Sequence, residues 1–549
     1  MTSWTPRITL IAALAAFCFP PRPAWAQADV PAGGSLVIVT GQQATMPIPT
    51  LMEGAASNVG NFDVADQLFL RLVNLGPSLQ TAGDTGFEPG LARSWSRRDS
   101  VTLVFELDPR ARWHDGVPVT AKDVVFTFSR AKDPAIAPRL ANLLRNITGV
   151  TAESDYRVVF RYSQPYSEQL YDATYHVAPI PAHLLDSLPP LELARSTFVT
   201  RPVGSGPYRW VRSNPGEYVE LAANRDFFLG RPKLDRVIVR TAADPVARLN
   251  LVLSGEADAM DNIPPPLENI RRMGADPDIR LISVAGPTIG YMLFNQRDPR
   301  NPSRPHPILA DVRVRRAITL ALDRRVLVQA IFGPHAVVPY GPVSPIVWIR
   351  NRSPEPEQRD VPEARRLLAT AGWGDSDGDG TLDREGRPLR LQLILPNSSA
   401  IRRQMSLLIQ EQLRHIGIQL DVQQLDAPVW TERRSAGDFD VDFGAVNQDP
   451  SPSGLTQSWS CSGGSNVARY CNREVDSLMQ KAVLAQGDPS EFWIAVLRQI
   501  EADAPATFLY AMNYVYAVNR RLRNVIISPQ SSWLMIRKWS AAAPPARGK

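Results

Sequence analysis

Cysteine is nearly absent from this chain of 549 residues, which has three in all. One of them, Cys18, sits in a short apolar leader, so the remainder has only Cys461 and Cys471. They flank SGGSNVARY with no C-x-x-C, which excludes a dithiol redox motif. In an exported protein a local disulfide is the expected state, stabilising by ~2–3 kcal/mol in the chain-entropy view, with two buried thiols as the alternative. Histidine is scarce too. The six (His114, His176, His183, His306, His335, His415) form no i,i+4 pair and no zinc spacing. No G-x-x-x-x-G-K-[ST] occurs, so a P-loop does not hydrolyse ATP here. Dense basic runs are missing as well. The leader holds Arg7 and Arg22 and no acid, so the formal +5 of the whole chain falls to +3 without it, too little for nucleic acid.

Long apolar runs are also missing. ITLIAALAAFCF is too short to span a bilayer, and no later stretch approaches that length. It follows Arg7 and leads to Ala24-Trp25-Ala26, a small-x-small site, so residues 1–26 are expected to be a secretory signal peptide cut near Ala26. Phe17 precedes Cys18 where a lipid-anchor site needs a small residue, which disfavours a lipoprotein.

Proline is abundant, at 49 residues, and implies many ordered loops because apolar periodicity persists throughout. The length suggests two to four domains. No repeat, low-complexity linker or composition shift marks a boundary, as expected of domains interleaved along the chain. In TAKDVVFTFSRA, Thr120 and Asp123 form a capping box ahead of an apolar face. Asp311 and Asp323 are placed to cap two successive helices. LRLQLILP alternates Leu389, Leu391, Leu393 and Leu395 as a strand. A helical stripe follows at Ile401, Met405, Leu408, Ile409, Leu413 and Ile416, and IQLDVQQL returns as a second strand. Strand, helix and strand make a βαβ unit with parallel pairing, so the chain is α/β. YRVVFRYS and DRVIVR are expected as further strands in mixed sheets.

One stretch, GWGDSDGDGTLD, matches two motifs at once. Gly374-Asp-Ser-Asp-Gly378 has nucleophile-elbow spacing, but Ser376 lacks the strand before it and the helix after it. Asp375, Asp377 and Asp379 occupy positions 1, 3 and 5 of a calcium loop, Gly380 fits position 6, and Asp383 stands at position 9. Position 12 is Gly386 rather than a bidentate glutamate. A structural calcium site and a solvated acidic turn both remain open.

Eight segments, in order, resemble the family 5 extracellular solute-binding proteins that feed peptide and nickel ABC importers. They are EPGLARSW, FELDPRARWHDGVPVTAKDVVFTFSRAKDP, RPVGSGPYRW, NRDFFLGRPKLDRVIVR, RLNLVLSGEADAM, LADVRVRRAITLALDRRVLV, ARRLLATAGW and NVARYCNREVDSLMQKA. The resemblance implies a class II periplasmic-binding-protein-like fold, with two α/β lobes, a hinge and an extra inserted domain. It implies lobe I at 27–68, 183–290 and 511–549, the insertion at 69–182 and lobe II at 291–510. It turns the acidic stretch into a surface connection between LLATAGW and the following strand.

Function by resemblance is ligand capture on lobe closure in the periplasm, by a monomer that delivers a peptide-like solute to an inner-membrane ABC permease. Ligand residues are expected in cleft-facing loops, with Gln42, Gln43, Tyr291, Trp430, Asn447, Gln448, Asp449 and Trp459 as candidates and no catalytic residue or cofactor. FGAVNQDP lacks the second acid that peptide binders of the family place ahead of the aspartate, so Asp449 holds a ligand amine alone or the ligand has none there. The family's L-D-P triplet is missing from TGQQATMPIPT. Gly204, Gly206 and Pro207 are expected to permit a tight turn. A metal chelate or haem is the rival ligand, although few histidines lie near these loops. A secreted hydrolase is the rival class.

Overall fold

The computed structural model describes residues 33–52, 59–529 and 531–542. The expected signal peptide lies outside the described residues. Among the described residues, no helix is long and apolar enough to cross a membrane.

An eleven-stranded mixed sheet runs through both lobes. Its first half orders strands Gln419–Leu425, Arg390–Pro396 and Val441–Asn447, and its second half orders Ala259–Met260, Ser35–Thr40, Arg236–Thr241, Tyr218–Ala223 and Tyr208–Asn214. Two long strands, Ile279–Phe294 and Ala506–Asn519, pair antiparallel in the middle and join the halves. Their register slips between Ala285 and Ile289 and again between Gly290 and Tyr291. This irregular stretch is the crossing between lobes.

Side chains alternate along a strand, so each long strand serves two cores. Met292 and Phe294 join a cluster with Leu393, Ile409 and Phe443. Ile289, Tyr291 and Leu293 face the opposite cluster, with Trp459, Trp493 and Phe508. The βαβ unit forms as read. Arg390–Pro396 and Gln419–Leu425 pair in parallel around helix Ala400–Arg414. Met405, Ile409 and Leu413 are buried, whereas Leu408 is 39% exposed. Leu408 lies ~100° around the helix from Ile409, outside the stripe that the i,i+4 series draws.

Arg236–Thr241 belongs to the mixed sheet, parallel to Ser35–Thr40 and antiparallel to Tyr218–Ala223. The expectation of a mixed sheet fails for YRVVFRYS. Strand Arg157–Tyr162 sits in a four-stranded, wholly antiparallel sheet with Ala92–Asp99, Thr102–Leu107 and Ile147–Ser154. Short turns link two of its strand pairs, and these connections are too short for a parallel crossover. Helix Ala121–Ala131 packs on it, with the Phe128 and Phe160 rings edge-on at 4.8 Å. Asp123 Oδ2 accepts the Thr120 amide at 2.8 Å, as the capping box requires, and Asp311 and Asp323 cap their helices through Arg313 N and Val326 N. This sheet and the first lobe share one hydrophobic core, in which Phe105 and Phe160 cluster with Ile38, Leu68 and Trp533.

His114 ties this region to the VGSGPY segment. Its Nδ1 accepts the Gly204 amide at 3.1 Å, so Nε2 must carry the proton and donate to Gly206 O, also at 3.1 Å. Burial lowers the ring's pKa from 6.5 to about 4, with nearby Arg209 acting in the same sense and Asp115 opposing. The folded state therefore binds fewer protons than the unfolded chain between these values. His114 contributes stability that is present above pH 6.5 and lost as pH falls through 4, by about 3 kcal/mol at most. His114→Asn keeps a donor and an acceptor without titrating. The gap between wild-type and variant melting temperatures is expected to shift in the variant's favour from pH 7 to pH 4, and a pH-independent gap would refute the assignment.

Candidate functional site

A cavity of about 270 Å³ opens at the lobe crossing, at the lower edge of the ~300–1,000 Å³ that ligand pockets span. Helix Val59–Leu68 gives one wall through Phe62, Asp63, Ala65 and Asp66, with Pro49 and Met52 beside it. Arg71, Tyr175 and His176 come from the region of the antiparallel sheet. The crossing strands bring Ala285, Tyr514 and Tyr516, with Pro287 at the slipped register. The second lobe closes the space with Ile346, Asn447, Gln448 and Asp449.

Of the sequence candidates, only Asn447, Gln448 and Asp449 line this cavity. Asn447 accepts the Thr288 hydroxyl at 2.7 Å, and Thr288 lies 3.0 Å from the Tyr514 hydroxyl. Gln448 is pinned at both ends, accepting Ser344 N and donating to Pro342 O, each at 2.6 Å. Gln42 is exposed, and the backbone of Gln42 and Gln43 packs on Gly60, where an added Cβ would meet Gln42 O at 2.2 Å. Tyr291 and Trp459 lie in the core at 7% and 5% exposure, with the Trp459 ring edge-on to Tyr291 and Phe508. The Trp430 indole donates to buried Asp442 at 2.8 Å, while the guanidinium groups of Arg402 and Arg434 lie over its ring. All three aromatics are engaged within the fold, and none lines this cavity.

Cysteines 461 and 471 are disulfide-bonded. In the acidic loop Asp375, Asp377 and Asp383 bring carboxylate oxygens within 4.8 Å of one another, and Asp379 is not of the group. The loop's own amides already engage all four. Asp375 accepts Gly378 N and Gly380 N, Asp377 accepts Asp379 N, Asp379 accepts Thr381 N and Asp383 accepts Ser376 N. Ser376 sits in this exposed turn and donates to Asp383 at 2.6 Å, with no histidine beside it.

Sequence reasoning missed the carboxylates of helix Val59–Leu68. Asp66 Oδ1 pairs with Arg71 Nη1 at 2.9 Å, and Ser531 Oγ donates to its other oxygen. Asp63 is 4% exposed, and its Oδ2 has no hydrogen-bond partner among the described residues. Burial holds its carboxyl well above the usual range, and Asp261 and Asp66 push it further while the Trp533 indole opposes. Burial also raises Asp261 to about 6 against the pull of Arg248. The spacing of Asp63 and Asp66, three apart on a helix otherwise rich in buried positions, was the only available signal.

Buried polar groups distant in the chain also meet beside the cavity. Buried Glu168 accepts hydrogen bonds from Thr81 and, at 2.7 and 2.8 Å, from Ser451 of the second lobe. Trp348 Nε1 reaches across to Thr81 Oγ1 at 2.9 Å. These bonds tie Thr81 and Glu168 to Trp348 and Ser451 beside the cavity.

The profile of the bacterial extracellular solute-binding proteins, family 5 (middle), matches residues 86–467. The chain is 27% identical over 442 residues to the oligopeptide-binding protein AppA of Bacillus subtilis, a match covering 78% of each chain. It is 24% identical over 467 residues to heme-binding protein A of Haemophilus influenzae, covering 79% of this chain and 78% of that one. The structure of AppA in complex with a nonapeptide aligns at a TM-score of 0.73 and 26% identity, covering 93% of this chain and all of AppA. With a continuous strand pair running past a shared cavity, and a family match across most of its length, this chain belongs to the family 5 bacterial extracellular solute-binding proteins.

Proposed function

We propose that this chain is the periplasmic substrate-binding component of an ABC importer, holding a peptide or similar small organic solute between its lobes and delivering it to an inner-membrane permease. The observation that carries the reading is the cavity walled by both lobes at the hinge strands. The names of its relatives support it, since AppA binds oligopeptides. A nonapeptide is ~30 Å long when extended, so a cavity of about 270 Å³ suits a shorter solute, of di- or tripeptide size. We assign residues 1–26 to a cleaved signal, lobe I to 27–68, 183–290 and 511–549, the inserted domain to 69–182 and lobe II to 291–510. The mature chain acts as a monomer and binds without turnover.

Ligand favours the closed state in proportion to its differential affinity for it. At 100 times Kd a bound solute should stabilise the protein by about 2.7 kcal/mol. Calorimetry of the mature protein against di- and tripeptide panels, with mass spectrometry of solute co-purified from the native host, tests the reading. Saturable 1:1 binding with the peptide recovered intact supports it. Hydrolysis of the peptide, or recovery of haem or a metal chelate instead, replaces it.

A further inference from the structure

The cavity's own charges say what the solute carries. Three carboxylates line it, from Asp63, Asp66 and Asp449, against one guanidinium, Arg71, and one imidazole, His176. Arg71 is committed to Asp66 at 2.9 Å and to Tyr175 O at 3.0 Å. Asp63 gains nothing from it. Its side chain is buried, its Oδ2 lacks a hydrogen-bond partner of good geometry among the described residues, the Trp533 indole near it is neutral, and no salt bridge reaches it among them. Native proteins rarely leave a buried carboxyl oxygen in that condition, because removing it from water costs free energy that only a partner returns. The cost rises where other acids stand near, as Asp66 and Asp261 do here. A donor that carries positive charge would answer both the unpartnered oxygen and the nearby acids.

Resting on the proposed reading that this cavity is the ligand site, we infer that Asp63 is a specificity residue that receives a cationic group of the solute, an ammonium or guanidinium, at the first-lobe wall of the cavity. Asp63 lies on the opposite lobe from Asp449. The preferred cargo is therefore a basic one, such as a short peptide bearing lysine or arginine, or a polyamine-like cation. An acidic solute would be rejected, since it would face an acidic wall across a low-dielectric space.

The test is a binding titration with matched probes. In the first arm, lysine or its uncharged isostere norleucine is walked through the three positions of trialanine. In the second arm, 1,5-diaminopentane is compared with 1,5-pentanediol. Wild type should bind the lysine peptide more tightly than its norleucine match by about tenfold or more at one position, roughly 1.4 kcal/mol. It should also prefer the diamine to the diol. Asp63→Asn should abolish both preferences. Its ligand-free melting temperature should not fall, because it removes a buried carboxyl without a partner, and this separates lost recognition from lost folding. Equal affinity for charged and neutral probes, or a preference that survives in Asp63→Asn, overturns the inference and leaves the peptide reading standing. Diamine binding that needs Asp63 with no peptide bound supports the inference and removes the peptide reading. Failure of both arms overturns both.

Discussion

Replacing Gly204 by alanine is expected to destabilise the protein by about 3 kcal/mol or more and to abolish ligand binding. A Cβ at this position would stand 1.9 Å from the Leu68 carbonyl oxygen and 2.6 Å from its carbon. Neither atom can yield cheaply. Leu68 closes the cavity-lining helix, and its oxygen already accepts the Gly206 amide at 2.7 Å. Gly206 is equally crowded, with Gln67 O at 2.4 Å from its own added Cβ. Neither glycine adopts a positive φ. With no positive φ to accommodate, what these positions need from glycine is the close approach of two backbones. Displacing the helix end would move Asp63 and Asp66 out of the cavity wall. Gly149→Ala is the control. Nothing lies within 4 Å of its added Cβ, so the change should stay within ~0.5 kcal/mol. Denaturant titration reads both, as a shift in midpoint at constant m. A Gly204→Ala midpoint equal to that of Gly149→Ala would show that the contact relaxes.

Arg434→Met should cost ~3–5 kcal/mol. Arg434 Nε donates to Asp442 Oδ2 at 2.7 Å, and the Asp442 side chain has no exposed surface. Burial already pushes this carboxyl upward, and Arg434 is the main force holding it down. With the guanidinium gone, among the described residues only the Trp430 indole still donates to it. The Asp442 pKa would climb further, so the folded state would bind a proton that the unfolded state releases. The variant's deficit should accordingly widen as pH rises from ~4 towards neutrality. Adding Asp442→Asn removes the stranded charge and should recover more than half of the loss, with the pH dependence gone. Thermal melts of the single and double variants across pH measure this. A single variant as stable as wild type at neutral pH would mean that water reaches Asp442. The same experiment tests the reading of Trp430 and Tyr291, since both contact Arg434.

Local features were legible because their causes are local. Caps at Asp311 and Asp323 need only a side chain and an amide two or three residues on. The βαβ unit follows from periods of two and 3.6 written along one stretch. The antiparallel sheet was misjudged because an apolar strand does not record the direction of its neighbour. The site was harder still. Tyr291, Trp430 and Trp459 are aromatic residues in or near cleft loops, yet Tyr291 and Trp459 are enclosed in a core cluster and Trp430 packs against its edge. Asp63 and Asp66 looked like ordinary helix polar positions, since their importance depends on Arg71, Asp261 and Ser531.

The sequence alone determined that this chain is α/β, since periodicity is a property of neighbouring residues, and its ordered motifs resemble those of the solute-binding proteins. Only the tertiary structure decided which polar groups share a cavity and which aromatics are spent on packing. The cavity gathers side chains from residue 49 to residue 532, and burial and charge pairing depend on groups that meet only when the chain is folded.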